Sequence, residues 1–160
     1  MTLAISAEEF AHRRAALAER LGERGLSGCV LFDPQRVLYY SGFYFIPTER
    51  PIAFALASDG RGGMHVPRLE LEHARANTAV QEVAHYDEYP GDRHPMEALR
   101  ELLDVLAIRE PLGADQDGYP WVFGYRGPSL GDVTHSAGEI EDQMAVKSAA
   151  SPSSMNGLSV

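Results

Sequence analysis

"FDPQRVLYYSGFYFIPTERP", Phe32 to Pro51, is the stretch from which the fold is read. Just upstream, "SGCVLF" is a continuous apolar run, the pattern of a strand buried on both faces. Asp33-Pro34 then opens a short helix, because Asp caps the free amides of a first turn and Pro has no amide there to leave unpaired. The helix carries Val37, Leu38 and Tyr40 and breaks at Gly42. Aromatic rings crowd Tyr39 to Phe45. A ring buries a large area, so Tyr39 and Phe43 are expected to anchor the helix and its turn, and Gly42 frees the backbone between them. Tyr44 and Phe45 are read as leading out of the core towards "IPTER".

Working outward, Ser6 with Glu9 is a capping box, and Ile5 is placed to staple onto Phe10. Phe10, Leu17 and Leu21 share one helical face, and Gly25 is a stop. "PIAFALAS" and "GMHVP" read as strands joined across "DGRGG", a hairpin. "RLELEHARANT" reads as a helix with Leu69 and Leu71 near its start, and "VQEVAHY" as an alternating strand. Pro95 opens "PMEALRELLDVL", where Met96, Leu99, Leu102, Leu103 and Leu106 form an apolar face. "PLGAD" predicts a further strand, "WVFGYRGPSLGD" a mixed, glycine-rich stretch, and "EIEDQMAVKS" a last helix. This order predicts an α/β domain, a mixed β-sheet flanked by helices, over residues 1–148. From Ala149 onward, "AASPSSMNGLSV" has neither charge nor periodicity, and residues 149–160 are expected to form a disordered tail.

Bulk composition narrows the function. The chain has 160 residues, 44% of them hydrophobic, enough for one domain with a sizeable core. A net charge of −9 without a basic stripe argues against a nucleic-acid partner. The lone Cys29, inside an apolar run, offers no disulfide framework and fits a reducing compartment. Acids stand where a signal peptide needs an apolar run, and no run is long enough for a membrane span. A cytoplasmic chain with no membrane partner is the expectation.

The catalytic constellations that the sequence offers are incomplete. "GPSLG", Gly127 to Gly131, matches the pattern of a nucleophile elbow, but Asp132 and His135 follow too closely to fold back on Ser129 as a triad. A glycine-proline loop is the plainer reading, and a serine hydrolase the weakest alternative. None of the histidines forms an H-E-x-x-H pair; Asp92 and His94 alone do not make a metal site. His65 alternates with Met64 and Val66, faces the other way, and reads as a surface residue. "DGRGG" lacks the Lys-Ser/Thr of a phosphate loop.

"FDPQRVLYYSGFYF", "TERPIAFALASDG", "HVPRLELEHAR", "GADQDGYP", "YRGPSLGD" and "IEDQMAVKS", in that order and spacing, resemble the N-terminal domain of the creatinase/prolidase/Xaa-Pro aminopeptidase family, over Phe10 to Ser148. The resemblance implies a ribonuclease-H-like α/β layer. It also implies that the family's chemistry, with two divalent metals such as Mn or Co and its catalytic histidines, belongs to a following "pita-bread" domain. No residue of this sequence matches those ligands, so the expectation is a chain without catalytic residues, cofactor or metal of its own. The loss of resemblance and of charge after Ser148 is read as an early stop or frameshift that removes the catalytic domain.

In the family the N-terminal domain covers the mouth of an active site, often a neighbouring subunit's. The resemblance therefore makes Thr48, Glu49 and Arg50 candidates for contact with a substrate carboxylate or a partner chain, with Tyr44 and Phe45 leading to them. Arg suits a carboxylate because its planar fork meets both oxygens. Arg68, Tyr125 and Arg126 are further candidates; a solvated loop is the plainer reading for each. Trp121, Val122, Phe123 and Tyr125, with Tyr44 and Phe45, are expected to form an apolar patch for a two-fold homodimer. A free-standing binding module descended from such a domain is the alternative. A proline-containing dipeptide is expected as ligand only alongside a catalytic domain. A fluorophosphonate probe is expected to leave Ser129 unlabelled; labelling there would establish the hydrolase instead.

Overall fold

The computed structural model describes residues 5–150. Helix α1, Ala7–Glu23, starts as the sequence predicts, with Ser6 Oγ accepting the Glu9 amide at 3.1 Å. Its buried face is Leu17, Ala18 and Leu21; Ile5 is 49% exposed, so the expected staple leaves it largely in solvent. Strand β1, Gly28–Leu31, is buried throughout. Helix α2, Pro34–Ser41, is capped by the Asp33 carboxylate, which accepts the amides of Gln35 and Arg36. It ends at Gly42, whose φ of 76° is left-handed and favours glycine.

Strands β2, Ala53–Ala57, and β3, Gly62–Pro67, form the expected hairpin. The segment read as one helix from Arg68 is a single 3-10 turn, Arg68–Glu70, followed by α3, Leu71–Asn77. Leu69 is 79% exposed, because that turn points it away from the sheet. Then come β4, Glu82–Tyr86, and α4, Pro95–Val105. The strand expected in "PLGAD" shrinks to β5, Gly113–Ala114. A strand absent from the sequence reading, β6, Thr134–His135, precedes α5, Ala137–Ala150. Helix α5 thus runs two residues into the expected tail, and residues 151–160 lie outside the described residues.

The sheet order is β4-β3-β2-β1-β5-β6. Only β2 runs against its neighbours; the β1–β5, β3–β4 and β5–β6 pairs are parallel. The mixed sheet flanked by helices is therefore as the sequence predicts. The carboxyl ends of the five parallel strands and the entry to β2 therefore share one edge.

Alternation along the strands separates two cores. Cys29, Leu31, Phe54, Leu56, Met64 and Val66 pack with residues of α1, α2, α3 and α5. Val30, Phe32, Ala53, Ala55 and Ala57 face α4, through Met96, Leu99, Leu102, Leu103 and Leu106. Small residues let α4 approach the sheet: a Cβ on Gly63 would stand 2.9 Å from Leu102 Cδ1. His65 does face away from Met64 and Val66, but that face lies under α4, so His65 is fully buried rather than on the surface.

Asp115, directly after β5, is also fully buried. Its carboxylate accepts the Phe32 amide at 2.7 Å, the Asp33 amide at 3.0 Å and the Arg36 guanidinium at 3.3 Å. Arg36 continues to Glu141 on α5. Burial outweighs these donors and holds the Asp115 carboxyl above its ordinary value. Removing a carboxylate of this kind strands two buried amides and a cation, which costs about 3 kcal/mol or more. Asp115→Ala is expected to lower the urea midpoint accordingly with the m-value unchanged, and Asp115→Asn to lose less; a loss from Asp115→Ala within ~0.5 kcal/mol, as for an ordinary surface site, would contradict this role.

Candidate functional site

The shared edge collects the candidate residues. Beyond Gly42 the chain is extended, so rings alternate: Phe43 and Phe45 turn inward and stack at 5.9 Å, while Tyr44 is 64% and Ile46 72% exposed. Phe45, expected to lead out of the core, is instead part of it, because it pairs with Phe43 on the inner side of this alternation. Thr48 Oγ1 accepts the Arg50 amide at 3.3 Å, and Arg50 pairs with its neighbour Glu49.

The entry to β2 is fixed from β4. Tyr86 Oη donates to the Pro51 carbonyl at 2.8 Å, and burial holds its phenol well above the ordinary value. Arg50 is therefore anchored from the next residue. It lines a cavity of about 340 Å³ with Leu69, Asp87, Glu88 and Tyr89. A second cleft of about 440 Å³ is lined by Arg68, His85, Asp87, Glu88 and Arg93. Arg68 meets Asp87 at 3.3 Å, with both side chains exposed. Arg50 and Arg68 thus lie on either side of a common acidic pair, Asp87-Glu88.

Tyr125 and Arg126 are not part of this rim. Tyr125 Oη lies 3.3 Å from His94 Nε2 and donates to the Pro128 carbonyl at 3.0 Å, while Arg126 is exposed. The bridge between the two groups is Tyr89, which lines the Arg50 cavity and packs edge-on to His94 at 5.4 Å. Sequence reading missed Asp87, Glu88 and Tyr89. What marks them is position: they follow a parallel strand at its carboxyl end, where α/β sheets hold ligands.

Chemically, the rim sets cations and anions side by side. Ser129 lies in a stretch without helix or strand, as the plainer reading expects; its hydroxyl accepts the Gly131 amide at 3.2 Å. His135 pairs with Asp117 at 3.0 Å. Among the described residues, no group of three or more His, Cys, Asp or Glu could hold a metal ion, and no helix is long and apolar enough to cross a membrane. Of the residues expected to form an apolar patch, Tyr44, Trp121 and Phe123 are exposed, Val122 and Tyr125 are half-buried and Phe45 is buried in the core; Tyr119 is exposed beside them in sequence.

Residues 13–129 match the family model described as the creatinase/prolidase N-terminal domain. No curated protein matches the chain. Among solved structures, a proline dipeptidase from Streptococcus pneumoniae is 24% identical over 66% of this chain and 75% of that one, with a TM-score of 0.56. The N-terminal domain of an Xaa-Pro dipeptidase from Lactobacillus brevis is 16% identical over 81% of this chain and 98% of that one, at a TM-score of 0.63. The dipeptidase PepE from Mycobacterium ulcerans is 23% identical, with a TM-score of 0.58; the match covers 73% of this chain but 31% of that one. At these identities the likeness to the structures shows the fold alone.

The Tyr86–Pro51 bond is the rim's fixed point. Tyr86→Phe is expected to cost about 1–2 kcal/mol in urea unfolding, because a buried carbonyl loses its donor. Faster amide exchange at Arg50 and Ile52 should accompany it, and unchanged exchange there would show that the rim is held by other contacts.

Proposed function

The chain belongs to the creatinase/prolidase N-terminal domain family, and from that premise we propose that it serves as the non-catalytic N-terminal part of an Xaa-Pro dipeptidase-like protein. In this reading it forms part of a substrate entrance and contributes contacts to a homodimer. The observation that carries the reading is the rim: Arg50 and Arg68 flank Asp87-Glu88 at the carboxyl edge of the sheet. A guanidinium fork receives a peptide carboxylate in two parallel hydrogen bonds, and an acidic pair receives the amino end. Both ends of a short peptide therefore find complementary charge on one edge.

The described residues do not offer a ligand set for the two divalent metals, Mn or Co, that the family reading implies. Those ions would belong to a catalytic half, where they would supply Lewis-acid chemistry. This domain's part is to bind and orient. The exposed Trp121 and Phe123 are the residues offered for the dimer contact. The alternative, a free-standing binding module, differs in one respect: the chain alone would hold its ligand.

In a complete dipeptidase relative, replacing the residue that matches Arg50 by Ala is expected to raise KM for Xaa-Pro dipeptides about tenfold or more, with a smaller change in kcat. An unchanged KM would remove Arg50 from the entrance. Titration of this chain alone with an Xaa-Pro dipeptide separates the alternatives, because micromolar binding would favour the free-standing module.

A further inference from the structure

The first turn of α4 is held in an unusual way, by two histidines in positions that require them to be neutral. His94 is the N-cap: its Nδ1 accepts the Met96 amide at 3.1 Å. A ring nitrogen that accepts carries no proton, so the neutral ring holds its proton on Nε2, facing Tyr125 Oη at 3.3 Å. Tyr125 passes the chain of donors on to the Pro128 carbonyl at 3.0 Å. On its other side the ring meets Tyr89. His94 therefore ties together α4, the segment that leads into it from β4, and the loop that carries Tyr125.

His65 lies beneath the same turn. It is fully buried, packs against the Tyr86 ring at 5.1 Å, and neither ring nitrogen makes a hydrogen bond of normal geometry. The Pro95 carbonyl is the backbone acceptor whose field reaches it, and the titratable groups bearing on it are Arg93 and His85. Tyr86 is committed to Pro51.

We propose that this turn is an acid-sensitive latch, in which protonation of His94, and then of His65, frees residues 87–95 and the Tyr125 loop from α4 while the rest of the domain stays folded. A proton on His94 Nδ1 sets a donor against the Met96 amide and ends the cap. It also adds positive charge at a helix N-terminus, which already carries positive potential. Charging His65 places an uncompensated cation between the sheet and α4. Burial is the main cause holding His94 below its ordinary value; Glu97 pulls it back up and Arg100 adds to the fall. Burial pushes His65 down to about 3, against the pull of the Pro95 carbonyl and with the added push of Arg93 and His85.

The sign follows. Both groups are bases whose closed-state values are lowered, so the closed latch is at full strength above the free histidine value of about 6.5. Its strength is lost as pH falls below that, at up to tenfold in the opening constant per unit for each histidine, until the closed-state value is reached. Opening removes Tyr89 from the wall of the Arg50 cavity, which makes the rim pH-dependent whatever its ligand.

Amide exchange of the whole chain, read by NMR as protection factors at pH 7 and pH 5, tests the latch. Protection at Met96 and Glu97 is expected to fall about threefold or more, while Leu17 and Leu21 in α1 keep theirs. His94→Asn keeps a side-chain acceptor for the cap but cannot titrate, and should make the fall clearly smaller, leaving only the share of His65. His65→Leu should reduce the fall between pH 7 and 5 by the share of that histidine and remove the further opening it drives below pH 5. Loss at Met96 in step with Leu17 would mean global unfolding and overturn the proposal, as would an undiminished fall in His94→Asn. If that variant does not fold, the wild-type comparison of Met96 with Leu17 still decides.

Discussion

One buried carboxylate organises the centre of this domain. Asp115 leaves β5, binds the Phe32 and Asp33 amides at the end of β1, and holds Arg36 in the first turn of α2. The Phe32 amide lies just past the last β1–β5 ladder bond, where the Val30 carbonyl takes the Asp115 amide, and the carboxylate pairs it in place of a ladder carbonyl. With the turn fixed, Asp33 is free to cap α2, and Arg36 reaches Glu141 on α5. A central strand, its parallel neighbour and two helices are thus joined through one charge. The raised carboxyl of Asp115 shows that this arrangement is costly to desolvate; its value lies in fixing geometry rather than in net attraction.

The reversed strand is the second constraint. Because β2 runs against β1 and β3, its entry at Pro51 meets the carboxyl ends of the parallel strands, and Tyr86 closes the junction. Arg50, Arg68, Asp87 and Glu88 are brought together by topology, although they come from three separate stretches of chain. Alanines on the α4 side of β2 and Gly63 on β3 let α4 lie close, so that its first turn reaches His65 and the Tyr89 wall. Packing and rim are parts of one arrangement.

Much of the fold was legible in the sequence, for local reasons. Ser6, Asp33 and Pro34 announce helix starts through groups that act within three residues, and "DGRGG" marks its hairpin in the same way. Two-residue strands such as β5 and β6 carry no period to read, and Leu69 looks like a core residue until the 3-10 turn redirects it. The candidate site was half legible. Arginines in exposed loops can be named from sequence. Asp87, Glu88 and Tyr89 acquire meaning only when strand order places them beside Arg50. His65 was misread because alternation tells which face a residue takes, not whether a helix covers that face.

The most direct measurement of the central role of Asp115 is a pH titration of the Phe32 and Asp33 amide protons by NMR in the wild-type chain. Both should resonate downfield, resist exchange, and shift together with one inflection above the ordinary aspartate value of about 3.9. Fast-exchanging amides at these two positions, or amides that ignore pH through the carboxylate range, would contradict a turn built on that carboxylate.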